Sequence, residues 1–350
     1  MNDKPQGDLV ETFCRLIREN GPISLAQYMG ESNARYYTSR DPLGEDADFI
    51  TAPEISQVFG ELIGLWLADI WVRAGRPDNV HYVELGPGRG TLASDALRAA
   101  GRYGLNPKVH FVEGSEALQL IQRGTVRGVQ HHSDVTSLPE DGPLLIVANE
   151  FFDALPIRQL LRAAEGWRER MVGLEDGKLS FVFGDKPMDA AVPERWKHAN
   201  QGTLLETSAA SSAIMSELSD RLAAQGGAAL IFDYGGWRSN GDTLQALRDH
   251  APIDPLADPG RSDLTAHVDF EALARAATCA HSGLTPQGVF LERLGITARA
   301  GALAARLSGA ALEQHVAAHR RLTHPDEMGN LFKVLALFPK GAPPPPGCDP

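Results

Sequence analysis

The sequence predicts an α/β fold built on a mostly parallel, doubly wound sheet with an antiparallel closing strand. From residue 79 onward, short apolar runs alternate with stretches of helical apolar spacing, and a glycine-rich turn follows the first apolar run. Strands separated by helices over such short distances connect as right-handed parallel units. A chain of 350 residues is long enough for one large α/β domain with insertions, or for two domains.

The first 78 residues predict helices and no sheet. A first helix stops at Gly21-Pro22, S-L-A-Q-Y-M begins another, and a turn-rich stretch separates it from a third helix over 55–74. We therefore expect a helical N-terminal cap over residues 1–78. Within this cap, side chains of types common at functional sites lie close together in the sequence: Tyr36, Tyr37, Asp48, Phe49 and Glu54. Either an ordered loop or a lid over the site explains them.

Residues 79–340 predict the sheet domain. The predicted strands are V-H-Y-V-E-L, K-V-H-F-V-E, V-Q-H-H-S-D, P-L-L-I-V-A-N-E and A-A-L-I-F-D-Y. Insertions are expected at about 156–205, which reads as an antiparallel meander, at about 235–265, and at about 292–328, where an Ala-rich helix is predicted over 297–322. L-T-P-Q-G-V-F-L and L-F-K-V-L-A-L-F predict a closing pair of strands, and the Pro-rich tail over 341–350 is expected to be disordered.

Composition excludes some classes of function. A formal net charge of −12 disfavours a sequence-independent nucleic-acid binder, which needs a basic face. The three cysteines form no C-x-x-C motif and there is no His/Cys cluster with metal-ligand spacing, so we expect reduced thiols and no metal. No apolar run reaches membrane-spanning length, and no signal or transit sequence is recognised at the N-terminus. We expect a cytoplasmic protein with no membrane insertion.

The glycine-rich turn is V-E-L-G-P-G-R-G-T-L, with Gly86, Gly88 and Gly90 at alternate positions. Nicotinamide, flavin and S-adenosylmethionine (SAM) enzymes all carry glycine-rich turns after a strand. Glu84 stands two residues before the first glycine. A pyrophosphate gains nothing from a carboxylate there, whereas SAM carries an ammonium and a sulfonium. This placement favours SAM.

Two further carboxylates follow consecutive predicted strands, where open α/β sheets bind ligands. Glu113 can accept both ribose hydroxyls of a nucleoside, and Asp134 can bind an adenine amino group while Val135 donates its backbone N–H. Taken singly, each is explained as well by a helix cap or a solvated strand end. The complete predicted cofactor site is Glu84, Gly86, Gly88, Gly90, Glu113, Ser115, Asp134, Val135 and Asn149.

Five motifs together resemble the MidA family of SAM-dependent methyltransferases over residues 9–338: E-L-G-P-G-R-G-T-L, N-E-F-F-D-A-L-P, D-Y-G, D-L-T-A-H-V-D-F and D-F-I-T-A-P-E-I-S-Q-V-F-G. The resemblance implies a class I methyltransferase (Rossmann-like) fold, SAM as cofactor and a protein acceptor. Mitochondrial members of the family are complex I assembly factors that methylate arginine. For this chain the resemblance thus implies arginine methylation of the large hydrophilic quinone-site subunit of complex I.

Transfer to a guanidinium requires carboxylates that hold its other nitrogens. Asn149, Glu150 and Asp153 follow the fourth strand and are the predicted catalytic residues, with Glu150 and Asp153 as a bidentate grip. Asp153 is equally explained as a helix N-cap. Phe151 and Phe152 either wall the site or pack beneath the next helix.

Other interpretations stay open at this stage. In T-A-H-V-D-F, either His267 and Asp269 are catalytic, or Asp269 caps a helix and His267 packs near the sheet edge. The competing functions are a nicotinamide oxidoreductase, a SAM-binding assembly chaperone without activity, and a methyltransferase with a glutamine or small-molecule acceptor. A homodimer is also predicted.

Overall fold

A computed structural model of the protein describes residues 8–39, 51–248 and 251–348. The described chain separates into two compact units. The first is drawn from 8–39, 153–211 and 238–269, and the second from 51–152, 212–237 and 270–348. This division differs from the predicted cap over 1–78, because residues 51–78 belong to the unit that holds the main sheet.

The helices of the described residues are α1 (Leu9–Asn20), α2 (Leu25–Ser39), α3 (Ala52–Ile55), α4 (Gln57–Arg73), α5 (Thr91–Gly101), α6 (Glu116–Thr125), α7 (Ala209–Gln225), α8 (Phe270–Ala276), α9 (Gln287–Arg293), α10 (Ile296–Ala304), α11 (Gly309–Thr323) and α12 (Met328–Leu331). The strands are β1 (Ile23–Ser24), β2 (His81–Leu85), β3 (Lys108–Val112), β4 (Gln130–His132), β5 (Leu144–Asn149), β6 (Arg158–Ala163), β7 (Gly166–Glu175), β8 (Lys178–Pro187), β9 (Leu204–Thr207), β10 (Gly227–Gly236), β11 (Gln245–Arg248), β12 (Ala251–Ile253), β13 (Asp263–Thr265), β14 (Val268–Asp269), β15 (Ala280–His281), β16 (Thr285–Pro286) and β17 (Phe332–Phe338).

The main sheet of the second unit runs in the order β15–β17–β10–β5–β2–β3–β4. Strands β10, β5, β2, β3 and β4 pair in parallel, and β17 pairs with β10 antiparallel. The prediction of a mostly parallel sheet with an antiparallel closing strand is confirmed. Chain order reverses between β2 and β5, and in open α/β sheets ligands bind outside the carboxyl ends of the strands at such a switch point.

Helix α4 packs directly on α5, which explains why the segment after residue 50 belongs with the sheet. A Cβ built on Gly60 would lie 2.6 Å from Cβ of Asp95, so the two helices approach more closely there than a larger residue would allow. Phe59, Ile63 and Trp66 of α4 are buried in the same apolar core as the residues of the sheet. Burial of this helix face contributes to the hydrophobic stabilisation of the unit.

The first unit contains two antiparallel sheets. One runs β1–β7–β6–β9 with β8 paired to β7, and the other runs β12–β11–β13. Strands β6 to β8 are the predicted meander, which is confirmed. Phe13 and Tyr28 of the first two helices are buried with Val172 of β7 in one apolar cluster. Tyr36 and Tyr37 continue α2, although the sequence predicts a turn-rich stretch there.

The predicted strand L-T-P-Q-G-V-F-L is mostly helical. Only Thr285–Pro286 pair as β16, and α9 follows. The buried residues of α9 include Gln287, Phe290 and Leu291, which recur at the i, i+3 and i+4 spacing of a helix face. The Ala-rich segment, predicted as one helix over 297–322, forms two helices, α10 and α11. Gly309, the first residue of α11, has a φ of 55°.

The predicted disorder of the Pro-rich tail is wrong for residues 341–348. The indole N–H of Trp66 donates a hydrogen bond to the carbonyl of Pro346 at 3.2 Å. A Cβ built on Gly347 would lie 2.8 Å from the ring of Phe290. The tail therefore packs on the core of the second unit. The insertion over 235–265, for which no strands are predicted, contributes the strands β11 to β13.

Candidate active site

The glycine loop joins β2 to α5 at the switch point of the sheet. Gly86, Gly88 and Gly90 have φ angles of 59°, 54° and 82°, in the left-handed region that favours glycine. Gly86 is exposed, and a Cβ built on it would lie 2.9 Å from Cδ2 of Phe151. The N–H of Gly90 closes the turn by donating to the carbonyl of Pro87 at 2.8 Å. The loop thus offers backbone without side chains to a ligand.

Glu113 directly follows β3, and its carboxylate is held from two sides. Oε1 accepts the N–H of Ser115 at 2.7 Å, and Oε2 accepts the amide of Gln122 at 3.2 Å. Burial raises the pKa of Glu113, while the hydrogen bonds from Ser115 and Gln122 oppose this rise. The carboxylate is therefore fixed in position beside the glycine loop, as its predicted role requires.

Gln122 of α6 is a residue that the sequence analysis did not single out. It is fully buried, and its amide also donates to the carbonyl of Gly88 at 2.7 Å. Its Oε1 lies 2.9 Å from Nε2 of His131. The helical spacing that buries Leu118 also buries Gln122 one turn later. A polar residue on the apolar face of a predicted helix is the signal that could have revealed it.

Ser115 and Asp134 have local structural roles. Ser115 is the N-cap of α6, where its hydroxyl accepts the N–H of Leu118 at 3.4 Å. Asp134 accepts the N–H and the hydroxyl of Thr136 at 2.8 and 2.5 Å, hydrogen bonds that lower its pKa. Val135 is buried and begins a short 3₁₀ turn. The contacts of Asp134 and Val135 with an adenine stay predictions.

Glu84 is enclosed within β2. Its side chain accepts a hydrogen bond from the hydroxyl of Tyr82, two residues earlier on the same face of the strand, at 2.6 Å. The residue is 3% exposed, and burial raises its pKa to about 8. Without a cation nearby the carboxyl is therefore mostly protonated at neutral pH, and an approaching positive charge would lower its pKa. Its predicted contact with SAM stays a prediction.

Asn149 and Glu150 stand together at the carboxyl end of β5. Glu150 has a φ of 52°, which is uncommon for a residue with a side chain, and its N–H donates to the carbonyl of Phe232 at 2.9 Å. Oε1 of Glu150 accepts the N–H of Ala52 at 3.2 Å and the Asn149 amide at 3.1 Å. Among the described residues, Oδ1 of Asn149 is buried without a hydrogen-bond partner. A ligand donor placed there would satisfy it.

The T-A-P-E stretch that begins at Thr51 connects the two sides of this site. Ala52 contacts Glu150, and the carboxylate of Glu54 accepts the hydroxyl of Thr91, the first residue of α5, at 2.7 Å. The end of β5 and the start of α5 are thereby tied to one short segment. Of the residues predicted to form a lid, Asp48 and Phe49 lie outside the described residues.

Phe151 and Phe152 differ in their surroundings: the first lies at the glycine loop, as one prediction has it, and the second is buried without the following helix that the other prediction assumed. Phe152 is buried, and its N–H donates to the buried carboxylate of Asp233 at 3.0 Å. The ring of Phe151 lies against Gly86 and forms a wall of the glycine loop. No helix follows them directly, because a turn leads from residue 152 into β6.

Asp153 belongs to the first unit, where it is buried. The absence of a helix directly after it contradicts its interpretation as a helix N-cap. Its carbonyl accepts the N–H of Ala266 at 3.0 Å. Burial, followed by the charges of Asp263 and Asp153, raises the pKa of Tyr37 well above its usual value. The predicted catalytic role of Asp153 stays a prediction.

His267 and Asp269 also lie in the first unit. His267 is exposed, which does not agree with a role in packing, and its N–H donates to the hydroxyl of Thr243 at 2.9 Å. Asp269 forms an ion pair with Arg195 at 2.5 Å. That ion pair gives the carboxylate a structural role.

A row of three histidines, which no sequence pattern predicted, crosses β2, β3 and β4. His81 Nδ1 lies 3.0 Å from His110 Nε2, and His110 Nδ1 lies 3.0 Å from His132 Nε2. Asp141, at 2.9 Å from His81, and Ser137, at 3.0 Å from His132, end the row. Burial lowers all three pKa values, that of His110 to about 4. The rings are therefore neutral at physiological pH.

The sheet order, with its antiparallel closing strand, and the glycine loop agree with a SAM-binding enzyme, and the comparison with known families shows that class. A family model of S-adenosyl-L-methionine-dependent methyltransferases matches residues 62–290. The chain belongs to this family, and the resemblance to MidA proteins is confirmed. It is a SAM-dependent methyltransferase, and SAM is its cofactor.

Curated relatives match nearly the whole chain. The protein arginine methyltransferase NDUFAF7, mitochondrial, of Xenopus laevis is 36% identical over 92% of this chain and 82% of its own length. The protein of the same name from Homo sapiens is 36% identical over 96% of this chain and 85% of its own length. Because these relatives are named mitochondrial, the expectation of a cytoplasmic location is contradicted.

A solved structure confirms the fold. A Burkholderia thailandensis protein bound to S-adenosyl-homocysteine is 28% identical, covers 97% of this chain and 93% of its own, and has a TM-score of 0.79. The class I methyltransferase fold is thus shown. Within the part of the chain that the structure describes, no helix is both long and apolar enough to cross a membrane.

The residues at the switch point fit SAM. The glycine loop lets a ligand approach the backbone, and the fixed Glu113 carboxylate could accept hydrogen bonds from a diol. Among the described residues, the buried Oδ1 of Asn149 has no hydrogen-bond partner, and a ligand donor could supply one. The glycine loop would lie against the part of SAM that comes close to the backbone. Glu113 would bind the ribose, and Asn149 would accept a polar N–H group. The backbone geometry and the donor set therefore agree with the family's cofactor.

Proposed function

We propose that this methyltransferase transfers a methyl group to arginine side chains of a protein. The observation that carries the proposal is the position of Glu150, whose carboxylate is fixed at the carboxyl end of β5 by Ala52 and Asn149. A fixed carboxylate suits a guanidinium, because its charge-assisted hydrogen bonds can be bidentate. The names of the relatives support the same acceptor.

SAM, when bound, supplies an electrophilic methyl group on its sulfonium. The glycine loop and Glu113 bind the cofactor, and the Phe151 ring lies against the loop at Gly86. Catalysis in such a site depends mainly on positioning the two reactants.

Glu150 prepares the acceptor for reaction. A carboxylate bonded to two guanidinium nitrogens draws positive charge toward them and leaves the third nitrogen with more lone-pair density. The two hydrogen bonds that Glu150 already accepts restrict its rotamers, so less entropy is lost when the acceptor binds. The attacking nitrogen would take the methyl group as the methyl–sulfur bond of SAM breaks and the neutral thioether leaves, and it would release one proton to solvent.

The family resemblance extends the proposal to a particular acceptor. We infer that the acceptor is the large hydrophilic quinone-site subunit of respiratory complex I, and that its methylation aids assembly. Asp153 stays a predicted catalytic residue, and a homodimer stays predicted. Support for the acceptor subunit comes from the resemblance.

The test is methyl transfer with purified components. The protein is incubated with isotopically labelled SAM and the purified complex I subunit, and peptides are analysed by mass spectrometry. Methylarginine is the expected product. Label on glutamine, on lysine or on a small molecule would overturn the arginine assignment. Methylarginine on another protein but not on this subunit would overturn only the choice of acceptor.

A further inference from the structure

Gln122 contacts both predicted cofactor elements at once. Its side-chain amide donates to the carbonyl of Gly88 at 2.7 Å and to Oε2 of Glu113 at 3.2 Å. Its Oε1 lies 2.9 Å from Nε2 of His131. These partners come from three separate elements: the glycine loop, the end of β3 and the strand β4.

The arrangement leaves one orientation for the amide. The Gly88 carbonyl can only accept hydrogen bonds, so the Gln122 nitrogen must face it, and Oε1 must then accept the Nε2–H of His131. Both amide protons and the oxygen are thereby bonded. A glutamine that is 0% exposed is stable in an apolar helix interface only when its polar atoms are satisfied in this way.

We propose that Gln122 is a positioning residue for the cofactor: it holds the glycine loop and the Glu113 carboxylate at the separation at which both contact SAM. The proposal rests on the cofactor placement given above and is independent of the arginine assignment. Attachment of α6 alone does not explain the residue. Ser115 already caps that helix, and Gln119 already joins it to the carbonyl of Glu113.

Replacing a residue that positions the cofactor should change the affinity for SAM more than the rate of methyl transfer. Gln122 bonds to groups that face the cofactor before and during transfer, so its loss removes binding shared by the ground and transition states. The Michaelis constant for SAM should rise while kcat at saturating SAM stays nearly constant. Loss of general stability would not produce this separation.

The test is calorimetric titration of the full-length protein with SAM and with S-adenosyl-homocysteine. Gln122→Leu has a similar volume and no hydrogen bonds, and its Kd should rise about 10- to 30-fold, as expected for losing bonds to a buried charged group. Gln287→Leu is the matched control: Gln287 is also 0% exposed and donates to the Leu322 carbonyl at 3.0 Å, and its Kd should not change.

Three results would overturn the proposal in distinguishable ways. An equal rise of Kd in Gln287→Leu would assign the effect to general stability. Wild-type Kd in Gln122→Leu, together with weaker binding in Glu113→Gln, would remove the positioning role only. Wild-type Kd in both variants would show that SAM binds elsewhere.

A second variant keeps the test usable if Gln122→Leu does not fold. His131→Phe preserves the ring against Phe111 and removes the donor that orients the Gln122 amide. Its Kd for SAM should rise about threefold, since one hydrogen bond is lost at a distance from the cofactor. An unchanged Kd in this variant would contradict the proposed role of the amide orientation.

Discussion

The glycine-loop side of the site and the end of β5 are stabilised by different means. On the loop side, Glu113 is bonded to Ser115 and Gln122, which follow it in the same strand–helix segment. At the end of β5, Glu150 has a left-handed φ of 52° and accepts a hydrogen bond from Ala52, 98 residues away in the sequence. The Glu113 carboxylate is held by partners from its own strand–helix segment, whereas the Glu150 carboxylate also depends on a residue that is distant in the sequence.

This difference agrees with what each side is proposed to bind. The loop side has satisfied polar groups and is shaped before the cofactor arrives. The end of β5 combines an unusual backbone angle with the partnerless Oδ1 of Asn149 among the described residues. Strain of this kind is of order 1–3 kcal/mol and is typical of functional sites. We therefore expect changes at the end of β5 to affect turnover, and changes on the loop side to affect cofactor binding.

The largest effect is expected for Glu150→Gln. The neutral amide cannot draw the guanidinium charge away from the attacking nitrogen, so kcat should fall about 10²- to 10³-fold, while the Kd for SAM stays within about twofold. Methyl-transfer kinetics and calorimetry measure the two quantities. Glu313→Gln, an exposed position in α11, is the matched control. Retained turnover in Glu150→Gln would contradict the guanidinium-binding role of Glu150. It would also contradict the proposed difference between the end of β5 and the loop side.

Gly86→Ala should mainly weaken cofactor binding. Alanine at a φ of 59° is strained by about 1–2 kcal/mol, and its Cβ would lie 2.9 Å from the Phe151 ring. We expect a Kd for SAM raised about tenfold and a lower Tm. Gly101→Ala is the control, because its Cβ would have an ordinary 3.7 Å contact with Asn106. A valine at Gly88, whose φ is 54°, should also destabilise the loop itself. Wild-type affinity in Gly86→Ala would contradict the assignment of the loop.

The histidine row makes the stability of the sheet dependent on pH. Burial, then the charges of neighbouring histidines and of Lys108, lowers the pKa of His110 to about 4, and Asp141 opposes this. The unfolded chain therefore binds more protons than the folded protein below pH 6.5 or so. The free energy of unfolding should be fully retained above that pH and should fall by about 1–2 kcal/mol as the pH drops toward about 4.

Urea unfolding at several pH values measures this dependence. His110→Leu should flatten the slope between about pH 6.5 and 4, whereas His198→Leu, at an exposed position outside the row, should leave the slope unchanged. Equal slopes in wild type and His110→Leu would show that the row does not control acid stability.

Among the changes at Glu150, Gly86, His110 and Glu113, the smallest effect is expected for Glu113→Gln. The amide keeps the size of the side chain and still accepts one hydrogen bond, but loses the charge that favours two ribose hydroxyls. The Kd for SAM should rise about three- to tenfold, with kcat unchanged. Glu116→Gln, in the exposed first turn of α6, is the control. If the control alone weakens binding, the ribose contact belongs to Glu116.

Local patterns in the sequence were sufficient to predict the sheet and to place the candidate site residues at the ends of its strands. The alternation of apolar runs predicts β2, β3, β5 and β10, because a buried strand is a run of mostly apolar consecutive residues. The glycine spacing likewise predicts the loop, since left-handed φ angles at Gly86, Gly88 and Gly90 are a backbone requirement of one short segment. Glu113 and Asn149 follow from their places at strand ends.

Contacts between distant residues required the tertiary structure. The hydrogen bond from Ala52 to Glu150 and the packing of Trp66 against the tail join segments that share no sequence pattern. The same holds for the row from His81 to His132, whose rings meet because β2, β3 and β4 are neighbouring strands. Each histidine lies two residues away from the register partner of the next one. The spacing of apolar residues along the chain indicates which face of a helix or strand is buried. Which residues pack against that face depends on the tertiary structure of the whole unit.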